Sequence, residues 1–426
     1  MNVIVMKIGI FLLLFLPGFG LSRKLLGEGN NDLLSLLKIT PDIQSVDYIH
    51  NQTQFQLHTL LTEQRHPKTW NLSFKIKSNT ALGLEMLLGV DEDISLKIEK
   101  MTQGYCLSEI EMAAKAVQKA IENRRKIYVY GCGATGRLAK QMESTFWRPF
   151  WKKIKESSLW DKIQKHVAQD IENCLVGEMT GADRALISSL EGFEDLQIIG
   201  MLQLQDRNIQ KNDVVFCITE GGETSSVIGT VLAALKQYGE LTPEKTKEAR
   251  EHLFFLYNNP DEVLLPFERS RSVLENEAIS KIRLFTGPQS ITGSTRMQAT
   301  TSETFVMGVI LEHALYIFLQ KFLSREELSH IGFTREESLP QRLLSFVPVQ
   351  KTLFAAKDAI ARFTELEAKT YKKGHFSTYF AKKSLITVFI DSTERSPTFR
   401  LYPLDTVEDT RRKCWIQVWT EAKNGQ

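Results

Sequence analysis

Residues 128–146 read "YVYGCGATGRLAKQMESTF". The run Tyr128, Val129, Tyr130 ends in a cluster of glycines, and an amphipathic stretch follows. That order predicts a buried strand, a tight loop and a helix. Gly131, Gly133 and Gly136 let the backbone turn sharply and present successive N–H groups. A helix starting near Arg137 brings its positive end to the same loop, equivalent to roughly half an elementary charge. Such a loop is built to hold an anion, and Thr135 adds a hydroxyl without bulk.

The grammar recurs along the chain. "DVVFCITEGGETSSVIGTVLAAL" (213–235) and "KIRLFTGPQSITGSTRMQATTSETFVMGVILEHAL" (281–315) each pass from apolar run through glycine loop to apolar helix, and "EHLFFLYNN" (251–259) reads as one more buried strand. Continuous apolar strands alternating with helices predict an α/β fold with a parallel sheet covered on both faces. In such sheets ligands bind outside the carboxyl ends of the strands. The candidate ligand residues are therefore Gly133, Ala134, Thr135 and Gly136 in the first loop, Gly221, Gly222, Thr224 and Ser225 in the second, and Ser294, Thr295 and Arg296 in the third. Amides and hydroxyls in that combination point to a phosphate.

Two nucleotide readings fit less well. No GxxxxGK[ST] is present, which argues against a P-loop. "GCGATG" does contain GxGxxG, but "SSLWDKIQKHVAQD" (157–170), with its helical look, fills the place where a dinucleotide site needs a strand ending in an acid.

Composition narrows the class further. The 426 residues are 42% hydrophobic and 24% charged, with a net charge of +2, which gives no footprint for nucleic acid. Cys106, Cys132, Cys174, Cys217 and Cys414 are odd in number and form no CxxC pair, so neither a zinc site nor a disulfide framework is expected. No metal or cofactor is expected either. The N-terminus, "MNVIVMKIGIFLLLFLPGFGLSRK", places Lys7 before an apolar run from Ile8 to Gly20 and resembles a secretory signal. The organisation expected is a leader over 1–20, a linker over 21–57, an α/β domain with N-terminal helices over 58–330, and connecting helices plus an incomplete second unit over 331–426.

"YGCGATGRLA", "TGADRALISSLEGFED", "EGGETSSVIGT" and "TGSTRMQATTSE" occur in the order found in sugar isomerase (SIS) domains of one branch, and "LLTEQRHPKT" (60–69) resembles that branch's N-terminal signature. The branch holds N-acetylmuramic acid 6-phosphate etherase and the glucokinase regulatory protein. "DSTERSPTF" (391–399) resembles the start of the second SIS domain found in the regulatory protein. The resemblance implies a flavodoxin-like doubly wound parallel sheet that binds a phosphosugar. In the etherase, one glutamate removes a proton beside the sugar carbonyl and a second protonates the departing lactate oxygen. The base corresponds here to Glu194. The acid's place, counted without gaps from Gly131, is taken by Thr145. Glu143 lies two residues earlier, about 200° around a regular helix, and is expected to face away.

These matches imply a non-catalytic phosphosugar-binding regulator, with fructose or amino-sugar phosphates as ligands. The alternatives are an etherase-type lyase with Glu194 as base, or an SIS module that senses or isomerises phosphosugars. The regulator reading implies a sugar kinase as partner. A homodimer is expected because "FVMGVILEHALYIFLQKFL" (305–323) is apolar nearly all round. Some positions depart from the branch. Glu220 and Glu223 occupy the second loop, and are expected to meet sugar hydroxyls or solvent. Gln298 stands where lysine is usual. Arg137 serves equally as helix-start support or ligand, while His66 and His252 receive no role. The ligand favours a cytoplasmic location, the alternative being secretion or anchoring through residues 6–20. Residues beyond Pro403 are expected to be poorly ordered.

Overall fold

A computed structural model describes residues 40, 42–51, 57–186, 190, 192–375, 377–380, 386–387, 390 and 416–419. The chain divides between Gln56 and Leu57. In the first unit, helix Ile43–Asn51 occupies part of the segment expected to be a linker.

The second unit is built on five strands: β1 (Ile127–Gly131), β2 (Leu175–Met179), β3 (Val214–Ile218), β4 (Leu253–Tyr257) and β5 (Ser280–Arg283). They pair in the order β2-β1-β3-β4-β5, all parallel. The order reverses direction between β1 and β3, so a crevice opens at the carboxyl ends of those two strands.

The strands read as unbroken apolar runs because successive side chains enter two different cores. Ile127, Val129, Phe216, Phe254 and Ile282 join helices on one face. Tyr128, Tyr130, Cys217, Phe255 and Tyr257 join those on the other. The helices that matter for the site are α1 (Leu107–Glu122), α2 (Gly133–Gln141), α3 (Gln197–Asp206), α4 (Ser225–Lys236), α5 (Glu268–Leu274) and α6 (Gln298–Leu319). Helix α2 lies so close on β2 that a Cβ at Gly177 would sit 2.1 Å from the Ala139 carbonyl oxygen.

Two expectations change. Helix α6 starts at Gln298, and Val306, Met307, Ile310, Leu311, Ala314, Leu315, Phe318 and Leu319 are buried within the chain's own core. Its apolar surface is therefore covered without a second copy, which removes the stated ground for a homodimer. It is long and apolar enough to cross a membrane, yet its most apolar window is 67% buried, as in a core helix. Of the residues beyond Pro403, the described ones, Ile416–Trp419, pair in parallel with Ser377–Phe380. Ile386, Thr387 and Ile390 are helical. The leader and "DSTERSPTF" lie outside the described residues. Cys106, Cys174 and Cys217 are buried and Cys132 is partly exposed.

Candidate functional site

Three loops at the strand ends define the site. In the first, Gly133 turns at φ +54°, a left-handed conformation that glycine adopts freely. The Thr135 side chain then staples the turn: Oγ1 accepts from the Cys132 N–H at 3.0 Å and donates to the Cys132 carbonyl at 2.8 Å. The Gly136 N–H reaches the same carbonyl at 3.2 Å. Thr135 is fully buried, so its hydroxyl shapes the loop from inside. Arg137 is also buried and donates to the Ala185 carbonyl at 2.8 Å. It ties the loop to the turn Ala182–Leu186, which follows β2.

The second loop closes in a similar way. Gly222, at φ +98°, donates its N–H to Thr219 Oγ1 at 3.2 Å, and Thr219 and Thr224 exchange a hydrogen bond of 2.9 Å. Asn259 Nδ2 donates to the Gly221 carbonyl at 2.8 Å, and Ser270 Oγ to the Gly222 carbonyl at 2.9 Å. Helix α4 begins at Ser225, and the Ser226 N–H in its first turn is taken by the Glu194 carbonyl at 2.9 Å. That bond carries Glu194 to the space between the first two loops. Its exposed carboxylate lies with Oε2 3.7 Å from Cys132 Sγ.

The third loop is held from below by two buried glutamines. Gln289 Oε1 accepts the Ala299 N–H at 3.0 Å, and Gln298 Oε1 accepts the Ser290 N–H at 2.8 Å. Gln298 Nε2 donates to Asp91 at 2.7 Å, so this position works as an internal brace. Ser294 is buried, while Thr295 and Arg296 are half-buried at the rim. Glu220 accepts from Thr300 Oγ1 at 3.1 Å. Near it Glu303 is fully buried and accepts from Asn258 Nδ2 at 2.8 Å. Burial and the neighbouring Glu220 charge push the Glu303 carboxyl well above the usual carboxylate range.

The sequence "LLTEQRHPKT" closes the site. Thr62 and Asn259 bond twice, from the Thr62 N–H to Oδ1 at 3.2 Å and from Nδ2 to Thr62 Oγ1 at 2.9 Å. Glu63 is thereby set against the third loop, with Oε2 3.5 Å from the Cβ position of Gly293. His66, given no role from sequence, is buried between Asp93 at 2.7 Å and the Lys68 N–H at 3.0 Å. It is a joint within this segment. Burial raises the Glu63 carboxyl, and it pushes Glu223 up to about 7, helped by the charges of Glu63 and Glu194 against the counteracting Arg269. Glu223 Oε2 is shut away from solvent and has no hydrogen-bond partner.

The helix after the first loop is irregular where a catalytic acid was sought. Met142–Trp147 forms a π-helical turn, a distortion that often marks functional sites. Glu143 nevertheless stays away from the crevice. Its Oε2 accepts the Gly177 N–H in β2 at 3.1 Å, and its Oε1 pairs with Arg148 at 2.6 Å. Thr145 is half-buried. Sequence reasoning missed Glu63, Asn258, Asn259 and Gln289. The polar pair Asn258-Asn259, set directly after an apolar strand, was the readable signal.

A parallel α/β sheet with three braced, glycine- and hydroxyl-rich loops at one end defines a phosphosugar-binding domain of the SIS class. Residues 109–235 match the family model for the glucokinase regulatory protein N-terminal SIS domain. The chain is also similar to N-acetylmuramic acid 6-phosphate etherases. It is 27% identical over 259 residues to that of Actinobacillus pleuropneumoniae serotype 5b (strain L20), covering 60% of this chain and 68% of the relative. Against the Bacillus subtilis (strain 168) etherase it is 24% identical over 255 residues, with the same coverage of 60% and 68%. Against that of Salmonella typhi it is 27% identical over 267 residues, 62% of this chain and 72% of the relative. These matches support an SIS domain in this chain, similar to those of both the regulatory protein and the etherases.

Proposed function

We propose that this chain is a non-catalytic phosphosugar-binding regulator. The observation that supports the reading is that the position the resemblance gives to the acid holds no carboxyl group. Thr145 stands where the resemblance puts it, and the nearest carboxylate, Glu143, is committed to Gly177 and Arg148. Elimination of a poor alkoxide leaving group without a proton donor is typically slower by roughly 10²–10⁴-fold. Glu194 retains a carboxylate between the loops, where it serves as an acceptor for sugar hydroxyls. The phosphate is assigned to the amides at the starts of α2 and α4, whose dipoles favour an anion.

A sugar kinase is the partner class that goes with this reading. Leu196, Ile198 and Leu202 stand about half-exposed at and along α3, and offer an apolar surface for it or for a second copy. A phosphosugar ligand places the protein in the cytoplasm. The second reading, an etherase, draws on the similarity to the named etherases and on Glu194. Incubation with N-acetylmuramic acid 6-phosphate decides between them through released D-lactate. No release is expected from the natural chain, and Thr145→Glu is expected to introduce a measurable rate. Robust turnover by the natural chain refutes the regulator.

A further inference from the structure

We propose that two copies of this chain pair antiparallel through the helix Lys357–Lys372, on a surface separate from the ligand crevice and from α6.

This helix (α8) follows helix Phe346–Ala355 (α7), with Ala356 between them. It repeats α1 in length and setting. Both α1 and α8 have 16 residues, and they lead, through residues 123–126 and 373–376, into Ile127 and Ser377, the first residues of strands in parallel pairs. Laid over α1 in this way, Phe363 and Leu366 take the positions of Ala113 and Ala116, which the core buries. In α8 that side is bare: Phe363 is 73% exposed and Leu366 62%. Val349 and Leu353, one turn apart on α7, are 53% and 49% exposed. Large side chains this open each present on the order of 100 Å² of apolar surface, so the four present roughly 400 Å². One side of a standard interface buries about 800 Å², of which roughly 450 Å² is apolar. The face therefore has the apolar area that a stable pair needs.

Charge selects the occupant. Asp358, Arg362, Glu365 and Lys369 are all exposed, and their spacing of three and four residues lines them up in one stripe beside the apolar face. Their signs alternate along the helix. Two parallel copies would set like charge on like. Two antiparallel copies, related by a two-fold axis beside residues 363 and 364, set Asp358 on Lys369 and Arg362 on Glu365 of the second copy, and the reverse pairs form by symmetry. Phe363 of each copy then lies within one turn of Leu366 of the other. A stripe that complements its own reversal fits a second copy of this chain better than an unrelated protein.

Sedimentation equilibrium on the full chain at micromolar concentration tests this. The expected mass is twice 48.6 kDa. Phe363→Ser should return it to that of one chain, with the far-UV circular dichroism unchanged because the side chain is exposed. Arg362→Glu brings like charges together at two symmetric places and should weaken the pair by about tenfold. The double variant Arg362→Glu/Glu365→Arg restores opposite charges at both places and should recover the natural association. Leu202→Glu on α3 should leave the mass at two chains. A single-chain mass for the natural protein overturns the proposal. So does a two-chain mass that survives both Phe363→Ser and Arg362→Glu, or one that only Leu202→Glu dissolves. Failure of the double variant to recover what Arg362→Glu loses overturns the antiparallel arrangement. A single-chain mass together with a melting temperature lowered by Phe363→Ser shows that the chain covers this face itself, and overturns the proposal as well.

Discussion

Glu223→Gln should make the protein more stable at pH 8 and leave it unchanged near pH 4.5. The wild-type carboxyl is held protonated up to about pH 7, against an ordinary value of 4.5, mainly by burial and next by the charge of Glu63. Below pH 4.5 the folded and unfolded chains both carry this proton, and the group does not favour either state. Between pH 4.5 and 7 only the folded chain holds it, so stability falls as pH rises. Above 7 the folded chain has lost it too, and the full cost of a buried carboxylate is in place. The distance from 4.5 to about 7 corresponds to about 3 kcal/mol. Glutamine has the shape of the protonated form and no charge at any pH, so the variant escapes that cost. Thermal unfolding from pH 4.5 to 8.5 should show the two melting curves separating as pH rises, by roughly 5 °C at pH 8. Glu63→Gln should lower the pH at which the wild-type loss levels off, and make that loss smaller. Parallel pH profiles for wild type and Glu223→Gln, or a less stable variant at pH 8, would refute the reasoning.

Two further outcomes are expected. Glu143→Ala strips the Gly177 N–H and Arg148 of their acceptor and should cost about 2 kcal/mol in urea unfolding with phosphosugar affinity unchanged. Lost affinity at unchanged stability would instead put Glu143 in the site. Asn259→Ala removes the bonds to Thr62 and Gly221, and trypsin should then cut faster at Arg65 and Lys68, with a stability loss of about 2–3 kcal/mol. An unchanged cleavage rate would show that the segment is held by other contacts.

The strands and the loops between them were legible in the chain itself. A strand buried on both faces must be apolar throughout, as "LFFLY" is, and a loop that turns sharply at a strand end needs glycine, as at Gly133 and Gly222. The hydroxyl residues could be named for the same reason, because they sit within a few positions of those signals, whereas Glu194 and Thr145 were named only through the resemblance to a family. Local grammar also identified Thr135, but could not say that its hydroxyl points into its own loop.

What the sequence by itself determined is therefore the sheet and the loop-bearing end of its strands. Tertiary structure alone decided the electrostatics. Glu63 and Gly293 are distant along the chain and meet because Asn259, just after β4, holds Thr62 and the His66 N–H reaches the Gln289 carbonyl at 3.3 Å. Helix α6 looked like an interface because its apolar surface runs all round, and only packing showed that the chain covers it from within. Glu143 is a strut because β2 presents the Gly177 N–H beneath a π-turn, a contact its sequence neighbours do not reveal. Glu223 reads in sequence as a solvated turn residue, yet its charge depends on whether water reaches Oε2 and on which other carboxylates fold against it. Neither is a property of its sequence neighbours, because solvation and Coulomb interaction depend on distance in space.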